Sequence, residues 1–145
     1  MVWLQLLLYR ASILRMKNYR VIIEDDDKKS GPRPHEEKTA QLIANIFESN
    51  ILFMRRRQSK TPDLFIVKTG VCWELKSPLG GGKHTIQNNL RVASAQSENI
   101  ILDLSRAKIS DKQGISRAKE FLGTESVRIK RLKIFTKTGR IIDLK

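Results

Sequence analysis

Asp63 is followed, after a stretch that reads as a β-hairpin, by Glu74-Leu75-Lys76. Two carboxylates and a lysine on adjacent strand ends can hold a divalent cation against a phosphodiester. Hard oxygen ligands bind Mg²⁺ or Mn²⁺ through one or two carboxylates plus substrate phosphate. The ammonium can stabilise charge on the attacked phosphate or orient the attacking water. The chemistry expected of Asp63, Glu74 and Lys76 is therefore phosphodiester cleavage. The same residues would also suit a surface hairpin with a Glu/Lys pair and an Asp cap, and spacing alone does not separate the two.

The elements that must position these groups can be read around them. Residues 64–67 are apolar and strand-forming, Lys68-Thr69-Gly70 is a turn, and Val71-Cys72-Trp73 begins a second strand. Asp63 opens the first strand, so antiparallel pairing returns Glu74 and Lys76 to its end. Alternation puts Glu74 and Lys76 on one face and Leu75 on the other. Upstream, Glu36, Glu37, Ala40, Leu42, Ile43, Ile46 and Phe47 follow helical spacing from His35, with acids in the first turn where the helix dipole favours them. Residues 51–54 form a short apolar strand, and Arg55, Arg56, Arg57 and Lys60 then place cations just before Asp63. Those side chains suit phosphate contact without sequence reading. A solvated basic loop is the plainer alternative.

Downstream, Ser77-Pro78-Leu79-Gly80-Gly81-Gly82-Lys83-His84 is a glycine-rich loop that would either let backbone approach a phosphate at the following helix N-terminus or serve as a flexible loop with no ligand. It lacks the Gly-Lys-Ser/Thr order of a Walker loop. A helix over 85–97 turns Ile86, Leu90 and Ala93 inward. Residues 99–104 read as a strand buried on both faces. Ser110 caps a helix to Leu122 that Gly123 stops. Residues 127–136 and 140–144 flank a turn at Thr138-Gly139.

Taken together, these motifs resemble the PD-(D/E)xK nuclease superfamily, and more closely the C-terminal tRNA-nuclease toxin domains of CdiA-type contact-dependent growth inhibition proteins. The resemblance spans about residues 35–144. It is carried by His35-Glu36, Thr61-Pro62-Asp63-Leu64, Trp73-Glu74-Leu75-Lys76-Ser77-Pro78, Lys83, Thr85 to Arg91, Ala95-Gln96-Ser97, Asn99 to Asp103, and the C-terminal Arg131 to Ile134 and Gly139 to Asp143 segments. It implies an α/β fold with a restriction-endonuclease-like α-β-β-β-α-β core, an added helix and a C-terminal β-hairpin. It adds Glu36 to Asp63 and Glu74 as ligands for Mg²⁺ or Mn²⁺, with Glu37 as the fallback. It gives Gln96 a catalytic part beside Lys76, and gives Lys83, Thr85, Asn89 and Arg91 nucleic-acid contacts. His84 departs from the pattern and is held as a minor candidate in RNA cleavage. The implied substrate is RNA, tRNA first and DNA second. The implied partners are a cognate immunity protein or a larger parent toxin or phage protein, with action in the bacterial cytoplasm.

Composition agrees with a polyanion partner. The chain carries 28 Lys and Arg against 15 Asp and Glu, a formal charge of +13 on 145 residues. Such a surface attracts nucleic acid, but charge alone does not distinguish a cutter from a non-catalytic binding module. The single cysteine, Cys72, excludes an internal disulfide and reads as a small core residue beside Trp73. His35 and His84 are too few for a zinc cluster. Residues 1–34 divide from a nuclease domain over 35–145: an apolar run to Tyr9 too short to span a membrane, an amphipathic stretch, then an acidic, Pro/Gly-containing linker read as solvated.

Overall fold

A computed structural model describes residues 18–24, 32–54, 62–124 and 128–145. Among them, seven strands form one mixed sheet in sequential order. The elements are β1 (Val21–Ile23), α1 (Pro34–Phe47), β2 (Ile51–Phe53), β3 (Leu64–Ile66), β4 (Val71–Lys76), α2 (Thr85–Ser94), β5 (Asn99–Asp103), α3 (Asp111–Thr124), β6 (Arg131–Phe135) and β7 (Ile141–Asp143). Strands β2 to β4 form an antiparallel meander, β4 to β6 run parallel, β7 returns antiparallel, and β1 lies parallel to β2 at the other edge. Parallel neighbours need crossovers, which α1, α2 and α3 supply.

Each helix forms for local reasons. Pro34 pre-sets the first turn of α1, and Glu36 Oε2 accepts a hydrogen bond from the Arg33 backbone N–H at 2.8 Å, satisfying a donor that the helix start leaves open. Ala40, Ile43 and Ala44 then face inward, and Glu48 ends the helix in the left-handed region at φ 48°. In α3, the Ser110 hydroxyl accepts from the Gln113 N–H while the Gln113 side chain accepts from the Ser110 N–H. The expected cap is there, but the helix passes through Gly123 to Thr124 instead of stopping before it. Helix α2 ends at Ser94, three residues short of expectation, because Gln96 and Ser97 both turn back onto the Ala93 carbonyl.

The sheet separates two cores. On one face α1 lays Ala40, Ile43 and Ala44 over Ile51, Phe53, Leu64, Ile66, Trp73 and Leu75. On the other, α2 and α3 bring Ile86, Leu90, Ala93, Ala118 and Phe121 against Ile100, Leu102, Leu132 and Ile134. The β-β-β-α-β order expected after α1 is present. Strand β1 is an addition: Val21–Ile23 falls inside the segment read as an N-terminal extension, yet it pairs with Ile51–Phe53. No helix of the described residues is long and apolar enough to cross a membrane.

Candidate active site

Strand β4 changes partners midway, and the candidate site lies at that fork. Val71 to Trp73 pair with β3, whereas Glu74 to Lys76 pair with Ile100 to Leu102 of β5. Asp63 sits one residue before the Leu64–Trp73 pair, so the register brings it opposite Glu74. Its Oδ2 accepts the Leu75 N–H at 3.1 Å, an amide that β3 no longer reaches. Period-two alternation does the rest: Trp73 and Leu75 enter the α1 core, and Glu74 and Lys76 face the α2 side.

Glu74 and Asp63 are buried, at 2% and 5% exposure. The Lys76 ammonium lies 2.8 Å from Glu74 Oε1 and also donates to Gln96 Oε1 at 3.2 Å. Glu74 Oε2 is buried with no hydrogen-bond partner. Burial, and after it the neighbouring Asp63 charge, push the Glu74 carboxyl up to about 7 against the opposing effect of Lys76. A carboxylate pair costs free energy when both members are ionised and buried. A divalent cation relieves that cost, so an orphaned buried oxygen beside a second carboxylate fits Mg²⁺ or Mn²⁺ held by Asp63 and Glu74.

Glu36 stands differently. It is buried on α1, across the sheet from the Glu74 face, and one of its oxygens is engaged at the Arg33 N–H. Among the described residues, no group of three or more His, Cys, Asp or Glu side chains gathers into a metal-holding set. The structure thus brings together Asp63, Glu74, Lys76 and Gln96, but not the three-carboxylate set that includes Glu36. Glu37 is exposed on the same helix.

The expected nucleic-acid contacts distribute along α2 and its approach. Lys83 and Arg91 are exposed, Thr85 and Asn89 are half-buried, and Asn89 Nδ2 donates to the Thr85 carbonyl at 2.8 Å. Arg91 reaches Asn88 Oδ1 at 3.1 Å. His84 is exposed at the N-cap of α2 and makes no side-chain capping bond. Arg55, Arg56, Arg57 and Lys60 lie outside the described residues. The glycine loop makes its close approach to its own chain: a Cβ on Gly81 would meet the Lys108 carbonyl oxygen at 2.5 Å. Lys108 N–H bonds the Leu79 and Gly80 carbonyls, and Arg117 donates to the Gly82 carbonyl at 3.0 Å, so the loop is clamped onto the approach to α3 and onto α3 itself.

Cys72 is half-buried on the sheet face away from α1 and outside both cores, which corrects its reading as a core residue. Burial raises its thiol pKa, against a nucleophilic role. Asp103 is a further carboxylate that sequence reasoning passed over. It is 0% exposed, and its Oδ2 accepts from Thr39 Oγ1 at 2.7 Å and from Ser77 Oγ at 3.2 Å, while Oδ1 accepts the Ser105 N–H at 2.9 Å. It therefore ties α1 to the residue that follows Lys76.

Two comparisons with known proteins bear on this arrangement. The family model described as contact-dependent growth inhibition CdiA C-terminal domain matches residues 60–141, which include Asp63, Glu74, Lys76 and Gln96. Among solved structures, the chain is similar to one titled CdiA-CT/CdiI toxin and immunity complex from Burkholderia pseudomallei. The TM-score is 0.58 at 20% identity, covering 77% of this chain and 82% of that one, a likeness of fold. No curated protein matches the chain.

Proposed function

The chain belongs to the contact-dependent growth inhibition CdiA C-terminal domain family, and from that premise we propose that this toxin domain is a metal-dependent endonuclease of the PD-(D/E)xK type acting on RNA, with tRNA as its first substrate. The observation that carries the reading is the buried Asp63–Glu74 pair with Lys76 on Glu74 Oε1. A structural salt bridge needs one carboxylate. A second one, placed opposite the first at a fork in the sheet, raises the free energy of the resting protein and is accounted for by a cationic ligand.

Asp63 and Glu74 would hold Mg²⁺ or Mn²⁺, which supplies positive charge that polarises a phosphoryl oxygen. The protein's own groups do the remainder. Lys76 is fixed between Glu74 and Gln96, so its ammonium is positioned to offset negative charge gained by the phosphate as water adds to phosphorus and the ester P–O bond breaks. Gln96 holds Lys76 in place. Exposed Lys83 and Arg91 and half-buried Asn89 lie on α2 and its approach, where they would bind flanking phosphates. Attack by a ribose 2′-hydroxyl, leaving a cyclic phosphate, is the competing route, and the product ends separate the two. Because the solved relative is a toxin and immunity complex, we extend to this chain a cognate immunity protein, and action in the cytoplasm of a target bacterium.

The test is incubation of the purified chain with total tRNA and with plasmid DNA, each in Mg²⁺, Mn²⁺ or EDTA, beside Asp63→Ala/Glu74→Ala and Glu36→Gln. Discrete tRNA fragments that need a divalent cation and vanish in the double variant are expected. Cleavage of plasmid alone moves the substrate to DNA. Binding of both without cleavage overturns the nuclease reading, and full activity of Glu36→Gln removes Glu36 from the metal site.

A further inference from the structure

The face of the sheet that carries Glu74 is covered by α2 at β4 and β5, while α1 covers the opposite face at β1, β2 and β3. On the Glu74 side of β1 to β4, the register aligns Ile22, Leu52, Phe65 and Cys72 in one cross-strand row. Ile22 is 48% exposed, and Leu52 and Phe65 are half-buried. None of the three belongs to either hydrophobic core.

This row has a defined relation to the candidate active site. Phe65 stands two residues from Asp63, and Cys72 two residues from Glu74, on the same face of the same strands, a spacing of about 7 Å. The row holds no charge, and the next row holds two carboxylates. A ligand that satisfies both rows has a phosphodiester at one end and a flat apolar surface close by. A nucleotide combines them, since base and phosphate hang from the same sugar. In a paired duplex the base faces are stacked away, so the base must be unpaired. The chain's formal charge of +13 favours the same polyanion. A row of aliphatic side chains around one ring, on a sheet face where neither core of the described residues includes them, is also a surface on which a base can stack.

We propose that Ile22, Leu52 and Phe65 form a stacking platform for an unpaired nucleobase beside the phosphodiester held at Asp63 and Glu74. The platform rests on the nuclease reading but is tested apart from it, by binding in EDTA. The probes are a labelled single-stranded oligoribonucleotide and an abasic oligomer of the same length and charge. Wild type is expected to bind the first more tightly. Phe65→Ala should weaken oligoribonucleotide binding roughly ten- to hundred-fold, leave the abasic oligomer unaffected and leave the salt dependence unchanged. Phe65→Trp should keep the preference, with its added indole emission quenched by the oligoribonucleotide and not by the abasic oligomer. This second variant tests the platform even where the alanine variant folds poorly.

Equal binding of both oligomers by wild type overturns the platform, as does equal weakening of both by Phe65→Ala. A concentration-dependent dimer that Phe65→Ala dissolves, with RNA binding unchanged, assigns the face to a second copy and overturns it as well. Cleavage of tRNA without base preference sinks the platform alone. Base preference without any cleavage sinks the nuclease reading alone.

Discussion

At the scale of single residues, Glu74 carries the strongest consequence. Its carboxyl titrates at about 7 in the folded chain against 4.5 as a free group. The folded state thus holds a proton that the unfolded state has already released. A group shifted upward contributes stability that is complete below about pH 4.5 and is lost as pH rises through about 7. In EDTA, the thermal midpoint should therefore fall between pH 5 and pH 7.5. Glu74→Gln should flatten that fall and match or exceed wild type at pH 7.5, because the amide fills the same volume without a buried charge. Lys76 loses a partner in this variant but is solvent-accessible enough to tolerate it, with its side chain 22% exposed. Mg²⁺ should raise the wild-type midpoint at pH 7.5 and leave that of the variant unchanged. A wild-type midpoint that is flat across this range would mean that Asp63 and burial do not hold the proton on Glu74.

At the scale of elements, what could be read from sequence was what depends on near neighbours. The Lys68–Gly70 turn closes on the Ile66 carbonyl, and Gly70 supplies its positive φ of 69°. With that turn fixed, alternation alone sets Asp63 against Glu74. Helices α1 and α2 followed from their apolar periods. Strand β1 did not, because three residues carry too little pattern and its partner is β2, beyond α1. Asp103 was hidden for the same reason: it ends an apolar strand, and its partners Thr39 and Ser77 are 64 and 26 residues away. The glycine loop is open in sequence to phosphate contact or to no ligand, because sequence shows that backbone can come close there but not to what. The Asp103 link joins α1 to the end of β4 and has a measurable cost. Asp103→Ala leaves buried donors unpaired and should destabilise by about 2–3 kcal/mol. Asp103→Asn keeps an acceptor toward Ser105, the Thr39 and Ser77 hydroxyls can rotate to accept from the amide, and the loss should stay within about 1 kcal/mol. Denaturant melts with unchanged slope would give both values, and equal losses would show that Asp103 serves packing and not this link.

At the scale of the whole molecule, the excess of Lys and Arg becomes a prediction about salt. Each phosphate neutralised by the protein releases condensed counterions, so the logarithm of affinity falls with log salt by roughly 0.7 per contact on a single strand. On the proposed reading Asp63 and Glu74 would act on the cleaved bond and Phe65 on a base, so none of them would set this slope. The exposed cations along α2 and its approach would. Lys83 is the clearest case, because it leaves the clamped glycine loop with its side chain in solvent. Lys83→Ala should weaken binding of oligoribonucleotides of every sequence by a similar factor and lower the slope by about one contact's worth. It should weaken the abasic oligomer equally, the opposite of the behaviour expected of Phe65→Ala. Affinities measured in EDTA over a salt series with both oligomers resolve the two contributions. A Lys83→Ala slope equal to that of wild type would place the phosphate path elsewhere on the surface, away from the loop that leads into α2.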